Sequence, residues 1–98
     1  GPAYVFYFLE AMRRAGTELG LSPAAATELA IGTFVGAAQL AQSSSEPPEV
    51  LRQRVTSKGG TTHAALSALE AAQVADSFVA AIAAAHRRAR EMGDEFGG

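Results

Sequence analysis

Apolar side chains recur at three- and four-residue intervals along most of the chain, the spacing that lines one face of a helix. Val5, Phe8, Leu9, Met12, Ala15 and Leu19 form the first such stripe. Pro2 suits its first helical position, where a missing N–H costs nothing, and Gly20 suits a left-handed stop after Leu19. Ser22-Pro23 then reads as a capping residue followed by a first-turn proline. The second helix is expected to run to about Gln42, through Leu29, Phe34, Val35, Ala38 and Leu40.

Pro47 and Pro48 break the pattern, and a short helix is expected from Glu49 to about Arg54. Val55-Thr56-Ser57-Lys58-Gly59-Gly60-Thr61-Thr62 excludes regular helix through its paired glycines and four hydroxyls. A fourth helix starts near Thr62 and carries Ala65, Leu66 and Leu69. The last spans roughly Val74 to Met92, with Val74, Phe78, Ala81, Ile82 and Ala85 inward and Gly93 as its stop. No alternating run of β-branched residues occurs, so the fold class is all-α, a helical bundle, in one domain over 1–98.

Composition changes this picture in one respect. Of the 98 residues 48% are hydrophobic, yet alanine supplies much of that share and only 7% are aromatic. Alanine buries little area, so one copy of the chain has a thin core. There is no cysteine to staple it. Oligomerisation or docking on a second domain is the usual substitute. Gly32 and Gly36 fall four residues apart on one face of the second helix, each costing ~1 kcal/mol in a helix interior. Such glycines suit close approach by another backbone, which marks Gly32, Gly36 and Ala37 as candidate dimer-interface residues.

Charge excludes more than it suggests. Eight Lys/Arg against ten Asp/Glu give a net charge of −2, with no basic field for nucleic acid or an anionic membrane. The cluster Arg87, Arg88 and Arg90 is followed by Glu91, Asp94 and Glu95 and reads as a solvated helix end. The charge-free stretch from Leu29 to Ser45 contains Gln39, Gln42 and three serines, and is expected to be too short and too polar to span a bilayer. Gly-Pro-Ala-Tyr has no basic n-region and does not read as a signal peptide, so a soluble cytoplasmic protein is expected. His63 and His86 have no partner at metal-ligand spacing, and no metal site is expected. Tyr4, Phe6, Tyr7 and Phe8 cluster on the first helix and read as packing residues.

The one stretch with chemical character is Thr56 to Thr62. Glycines directly before a helix free backbone N–H groups, which converge with the first-turn N–H groups on one electropositive point. Hydroxyls of Ser57, Thr61 and Thr62 add donors, so a carboxylate or phosphate could be held there. A threonine-capped helix after a glycine turn would read the same way. It is not a phosphate-binding loop of the Gly-Lys-Ser/Thr type, because that tripeptide is absent.

These residues carry a family resemblance. Val55-Thr56-Ser57-Lys58-Gly59-Gly60-Thr61-Thr62, with Ala65-Leu66 and Leu69-Glu70, resembles the signature of pyrroline-5-carboxylate reductases. Gly1-Pro2-Ala3-Tyr4-Val5-Phe6 is similar to the start of that family's C-terminal domain, and Leu29-Ala30 with Gly36-Ala37-Ala38 resembles its second helix. The resemblance implies a 6-phosphogluconate-dehydrogenase-like reductase whose C-terminal helices form an interlocked homodimer, in some members a ring of dimers. It implies reduction of 1-pyrroline-5-carboxylate to L-proline, the last step of proline biosynthesis, with NADPH or NADH held by an N-terminal Rossmann domain. No strand–Gly-x-Gly-x-x-Gly–helix unit exists here, so the chain by itself is expected to be inactive and to bind no dinucleotide. By the resemblance, Ser57, Gly59, Gly60, Thr61 and Thr62 bind the substrate carboxylate. Thr62 lies beside the ring nitrogen or nicotinamide as the catalytic residue, and the imine proton comes from Thr62 or from water. Many relatives have proline where Lys58 stands, so Lys58 inherits no role. Two other readings remain open: a non-enzymatic helical dimerisation module, and a helical binding domain for an acidic small molecule or a partner helix.

Overall fold

The computed structural model describes residues 1–96. Among them lie five helices and no strand: α1 Pro2–Glu18, α2 Pro23–Ser43, α3 Pro48–Arg54, α4 Thr61–Ala71 and α5 Val74–Phe96. The chain divides into two compact units, residues 1–51 and the part from residue 52 onward.

The first unit is a hairpin of α1 and α2. Pro2 opens α1 as expected. Its end is a Schellman motif: the Leu21 N–H donates to the Gly16 carbonyl at 3.0 Å, and the Gly20 N–H to the Thr17 carbonyl at 3.1 Å. Gly20 takes φ 108°, the left-handed conformation that this closure needs. Ser22 then caps α2, its Oγ accepting the Ala25 N–H at 3.1 Å. The two helices touch where side chains are smallest. A Cβ on Gly16 would come within 2.9 Å of Ala26 Cβ and 3.4 Å of Leu21 Cδ1. Ala26 and Ala30, one turn apart, are the buried apolar residues, each 3% exposed. Tyr4, Phe8, Leu9 and Phe34 of the same unit are half-buried.

In the second unit α4 meets α5 at a bend of 53°. Gln73 makes the turn with φ 56°, its N–H donating to the Glu70 carbonyl at 3.0 Å. Leu66, Val74 and Phe78 are half-buried there.

Four expectations need correction. Gly93 does not end the last helix: α5 runs through it to Phe96, and Gly93 is not among the residues with positive φ. A glycine stops a helix by turning left-handed, and this one does not. Second, Ala81, Ile82 and Ala85 are not inward in one copy of the chain; all three are exposed, Ile82 at 44%. Third, α3 begins at Pro48 rather than Glu49, whereas α4 starts at Thr61, near Thr62 as expected. Fourth, α2 is not too short and polar to cross a bilayer. Its 21 residues include a window of mean hydropathy 1.2, enough in length and composition for a span, with 11% of that window buried. The charge-free stretch undercounted it, because the helix starts six residues earlier and tolerates Glu28. The thin core is as expected. Phe6, Leu29, Ile31, Val35, Leu40, Leu69, Val79 and Ile82 all stand exposed, which leaves apolar surface on both units to be covered.

Candidate functional site

Four backbone and side-chain links build the loop from Val55 to Thr62. Thr56 closes the end of α3: its N–H donates to the Gln53 carbonyl at 3.2 Å, and its Oγ1 donates to the Arg52 carbonyl at 2.5 Å. Ser57 to Gly60 then form a tight turn, with the Gly60 N–H donating to the Ser57 carbonyl at 3.1 Å. Gly59 occupies the third position at φ 74°, the conformation that a type II turn requires there. Gly60 follows with φ −86° and ψ −176°, extended backbone, and is the N-cap of α4. Its carbonyl accepts the first helical bond, from the Ala64 N–H at 3.1 Å.

Gly60 therefore settles one ambiguity. The cap of α4 is the glycine, with no side-chain cap hydrogen bond, and Thr61 and Thr62 are the first two helical residues. A threonine cap, the competing reading of the loop, is not present. The first-turn N–H groups receive no acceptor from the cap side chain. Ser57, Gly59, Thr61 and Thr62 are exposed and Gly60 is half-buried. The turn thus brings all five candidate substrate-binding residues to one helix end. Lys58 sits at the second position of the turn, where the fixed φ of a proline also fits.

The other candidates are placed elsewhere. Gly32, Gly36 and Ala37 lie exposed on α2, and a Cβ on either glycine would meet nothing within 4 Å. Their small size serves no packing within the chain. The glycine that lets two helices approach inside the chain is Gly16. Its place in the interior of α1 was a signal of the same kind as Gly32 and Gly36, and sequence reasoning passed over it. Of the aromatic cluster, Tyr4 and Phe8 are half-buried, while Phe6 and Tyr7 are 61% and 69% exposed. Tyr7 and Phe8 meet edge to face with ring centroids 5.8 Å apart. In the basic cluster Arg88 Nη1 pairs with Glu91 Oε2 at 3.3 Å on the surface of α5. Among the described residues no group of three or more His, Asp or Glu could hold a metal ion. Two grooves between α1 and α2, one lined by Arg13, Pro23, Ala24, Thr27, Glu28 and Ile31 and one by Phe6, Leu9, Glu10, Arg13, Thr27 and Ile31, include none of the loop residues.

Comparison with known proteins gives this arrangement a context. Residues 1–92 match the family model for pyrroline-5-carboxylate reductase dimerisation. A pyrroline-5-carboxylate reductase of Pseudomonas aeruginosa is 43% identical over 97 residues, covering 99% of this chain and 36% of that protein. Among solved structures, the Plasmodium falciparum pyrroline carboxylate reductase with NADP bound superposes with a TM-score of 0.92 at 32% identity. It covers 95% of this chain, which in turn covers 36% of it. The Coxiella burnetii pyrroline-5-carboxylate reductase superposes with a TM-score of 0.88 at 42% identity, over 93% of this chain and 34% of that one. The chain thus spans about a third of the length of these relatives. With its five helices and its glycine-capped loop matched almost end to end, the chain belongs to the pyrroline-5-carboxylate reductase dimerisation family.

Proposed function

We propose that the chain is the dimerising, substrate-binding part of an NAD(P)H-dependent reductase that converts 1-pyrroline-5-carboxylate to L-proline, and that Ser57 to Thr62 hold the substrate carboxylate. The observation that carries this reading is the glycine cap of α4. A helix start with no side-chain cap bond, reached through a glycine turn and ringed by three exposed hydroxyls, offers N–H and O–H donors to an anion. A module built for assembly alone needs no such loop.

In this reading the Ser57 hydroxyl and the backbone N–H groups at the start of α4 grip the carboxylate. Thr62, second residue of α4, lies next to the imine, and its hydroxyl or a water delivers the proton to nitrogen. Hydride transfer is not assigned to any residue of this chain. Among the described residues there is no strand, and so no strand–glycine turn–helix unit on which a dinucleotide pyrophosphate could rest. In this reading the cofactor is held by the rest of such a reductase; the Plasmodium falciparum relative, of which this chain covers 36%, has NADP bound. The second copy needed to complete the enzyme is another chain of the same kind, in an interlocked homodimer.

Thr62→Ala in the intact reductase tests the assignment. Loss of a hydrogen bond to a charged group costs about 1.5–3 kcal/mol, so kcat/KM for pyrroline-5-carboxylate should fall roughly ten- to a hundredfold. NADPH binding should change little. Wild-type kinetics in Thr62→Ala, with an intact fold, would remove Thr62 from the site.

A further inference from the structure

The two adjacent glycines of the loop are glycine for different reasons. Gly59 needs its conformation: φ is 74°, and a Cβ there would meet nothing within 4 Å. Gly60 does not. Its φ of −86° and ψ of −176° are open to any residue. What excludes a side chain at Gly60 is Ser57. An added Cβ would collide with Ser57 Oγ, and would lie 3.3 Å from the Ser57 carbonyl oxygen and 3.6 Å from Ser57 Cβ. The same two residues are already tied by the Gly60 N–H to Ser57 carbonyl bond of 3.1 Å. Ser57 Oγ therefore occupies the space that glycine leaves empty, at the cap of α4.

We propose that Gly60 is a positioning residue for Ser57: its missing Cβ lets the Ser57 hydroxyl stand over the start of α4. The proposal rests on the carboxylate reading of the loop given above. An alanine at position 60 is not excluded by the backbone. The colliding atom is the end of a rotatable side chain, and the serine can escape by turning to another staggered χ1 well. The carbonyl contact at 3.3 Å asks only for a small shift of the turn. Gly60→Ala thus re-aims the hydroxyl while the turn and the helix persist. The loss of substrate affinity passes through Ser57 rather than through Gly60 itself.

This predicts non-additivity. In the intact reductase, Ser57→Ala, Gly60→Ala and the double variant are compared by steady-state kinetics with pyrroline-5-carboxylate varied. The KM for NADPH and the melting temperature are measured alongside. Each single variant should raise the KM for pyrroline-5-carboxylate about tenfold or more. Once Ser57 Oγ is gone, adding Gly60→Ala should raise it by no more than about threefold further. KM for NADPH should hold within about twofold, which a general loosening of the fold would not respect. A double variant whose KM is the product of the two single effects overturns the proposal, as does Gly60→Ala with wild-type KM. Wild-type KM in Ser57→Ala instead sinks the carboxylate reading itself. If Gly60→Ala fails to fold, the melting temperature of the double variant decides. A folded double variant supports steric coupling to Ser57, and an unfolded one overturns it.

Discussion

Glycines in this chain do unlike work, and each predicts a different response to alanine. At Gly59 the left-handed φ of 74° is intrinsic to the turn, so Gly59→Ala should destabilise by about 1–2 kcal/mol. For a domain of this size that lowers the melting temperature by roughly 4–8 °C per kcal/mol, measurable by calorimetry or circular dichroism. An unchanged melting temperature would mean that the turn is not type II. The neighbouring Lys58 gives the opposite sign. It sits at the second turn position, where proline is pre-set, so Lys58→Pro should stabilise by about 0.4–1 kcal/mol through the unfolded chain. A drop in melting temperature would show that the Lys58 backbone departs from the proline region. The presence of these glycines and hydroxyls before a helix was legible in the sequence. Their division of labour was not, because it depends on which of the two turns left-handed and on where Ser57 Oγ comes to lie.

Helix boundaries were the most legible feature at the next scale, and the reason is local chemistry. Pro2, Gly20 and Ser22-Pro23 each act through their own backbone or a partner a few residues away, and α1 and α2 start and stop where those residues dictate. Gly93 failed as a stop because a glycine permits a left-handed turn without requiring one, and this one stays helical. Facing was harder to read. Ala81, Ile82 and Ala85 have helical spacing, but spacing marks an apolar stripe without saying whether the same copy covers it. Gly16 shows the converse: a contact inside the chain with no stripe to announce it. There the approach is backbone-deep, since an added Cβ would lie 2.9 Å from Ala26 Cβ and 3.6 Å from Ala26 Cα. No rotamer change relieves that contact, so Gly16→Ala should prise α1 from α2 and destabilise by about 1–3 kcal/mol despite better helix propensity. Thermal unfolding checks this; a stabilised Gly16→Ala would mean that the hairpin can part at no cost.

The whole molecule is unfinished as one copy. Among the described residues two alanines make up the buried apolar set, and large side chains stand exposed on α1, α2, α4 and α5. α2 is long and apolar enough to span a bilayer, in a chain that belongs to a family defined by dimerisation. Gly36 offers a test in which the sign, rather than the size, decides. A Cβ at Gly36 would meet nothing within 4 Å inside the chain. In an isolated copy Gly36→Leu therefore replaces a poor helix former with a good one and should stabilise by about 0.8–1 kcal/mol. In a dimer whose partner helix lies against Gly36, the added side chain forces the backbones apart and should destabilise by about 1–3 kcal/mol. We expect the second sign. Light scattering should give twice the 10.1 kDa of one chain for the wild type. The Gly36→Leu variant should shift toward the single-chain mass as it is diluted. Its melting temperature should be lower and should fall further with dilution, since association stabilises by mass action. A wild-type mass of 10.1 kDa at micromolar concentration would sink the dimer. A dimeric Gly36→Leu with a raised melting temperature would leave the dimer standing and move its contact off Gly36.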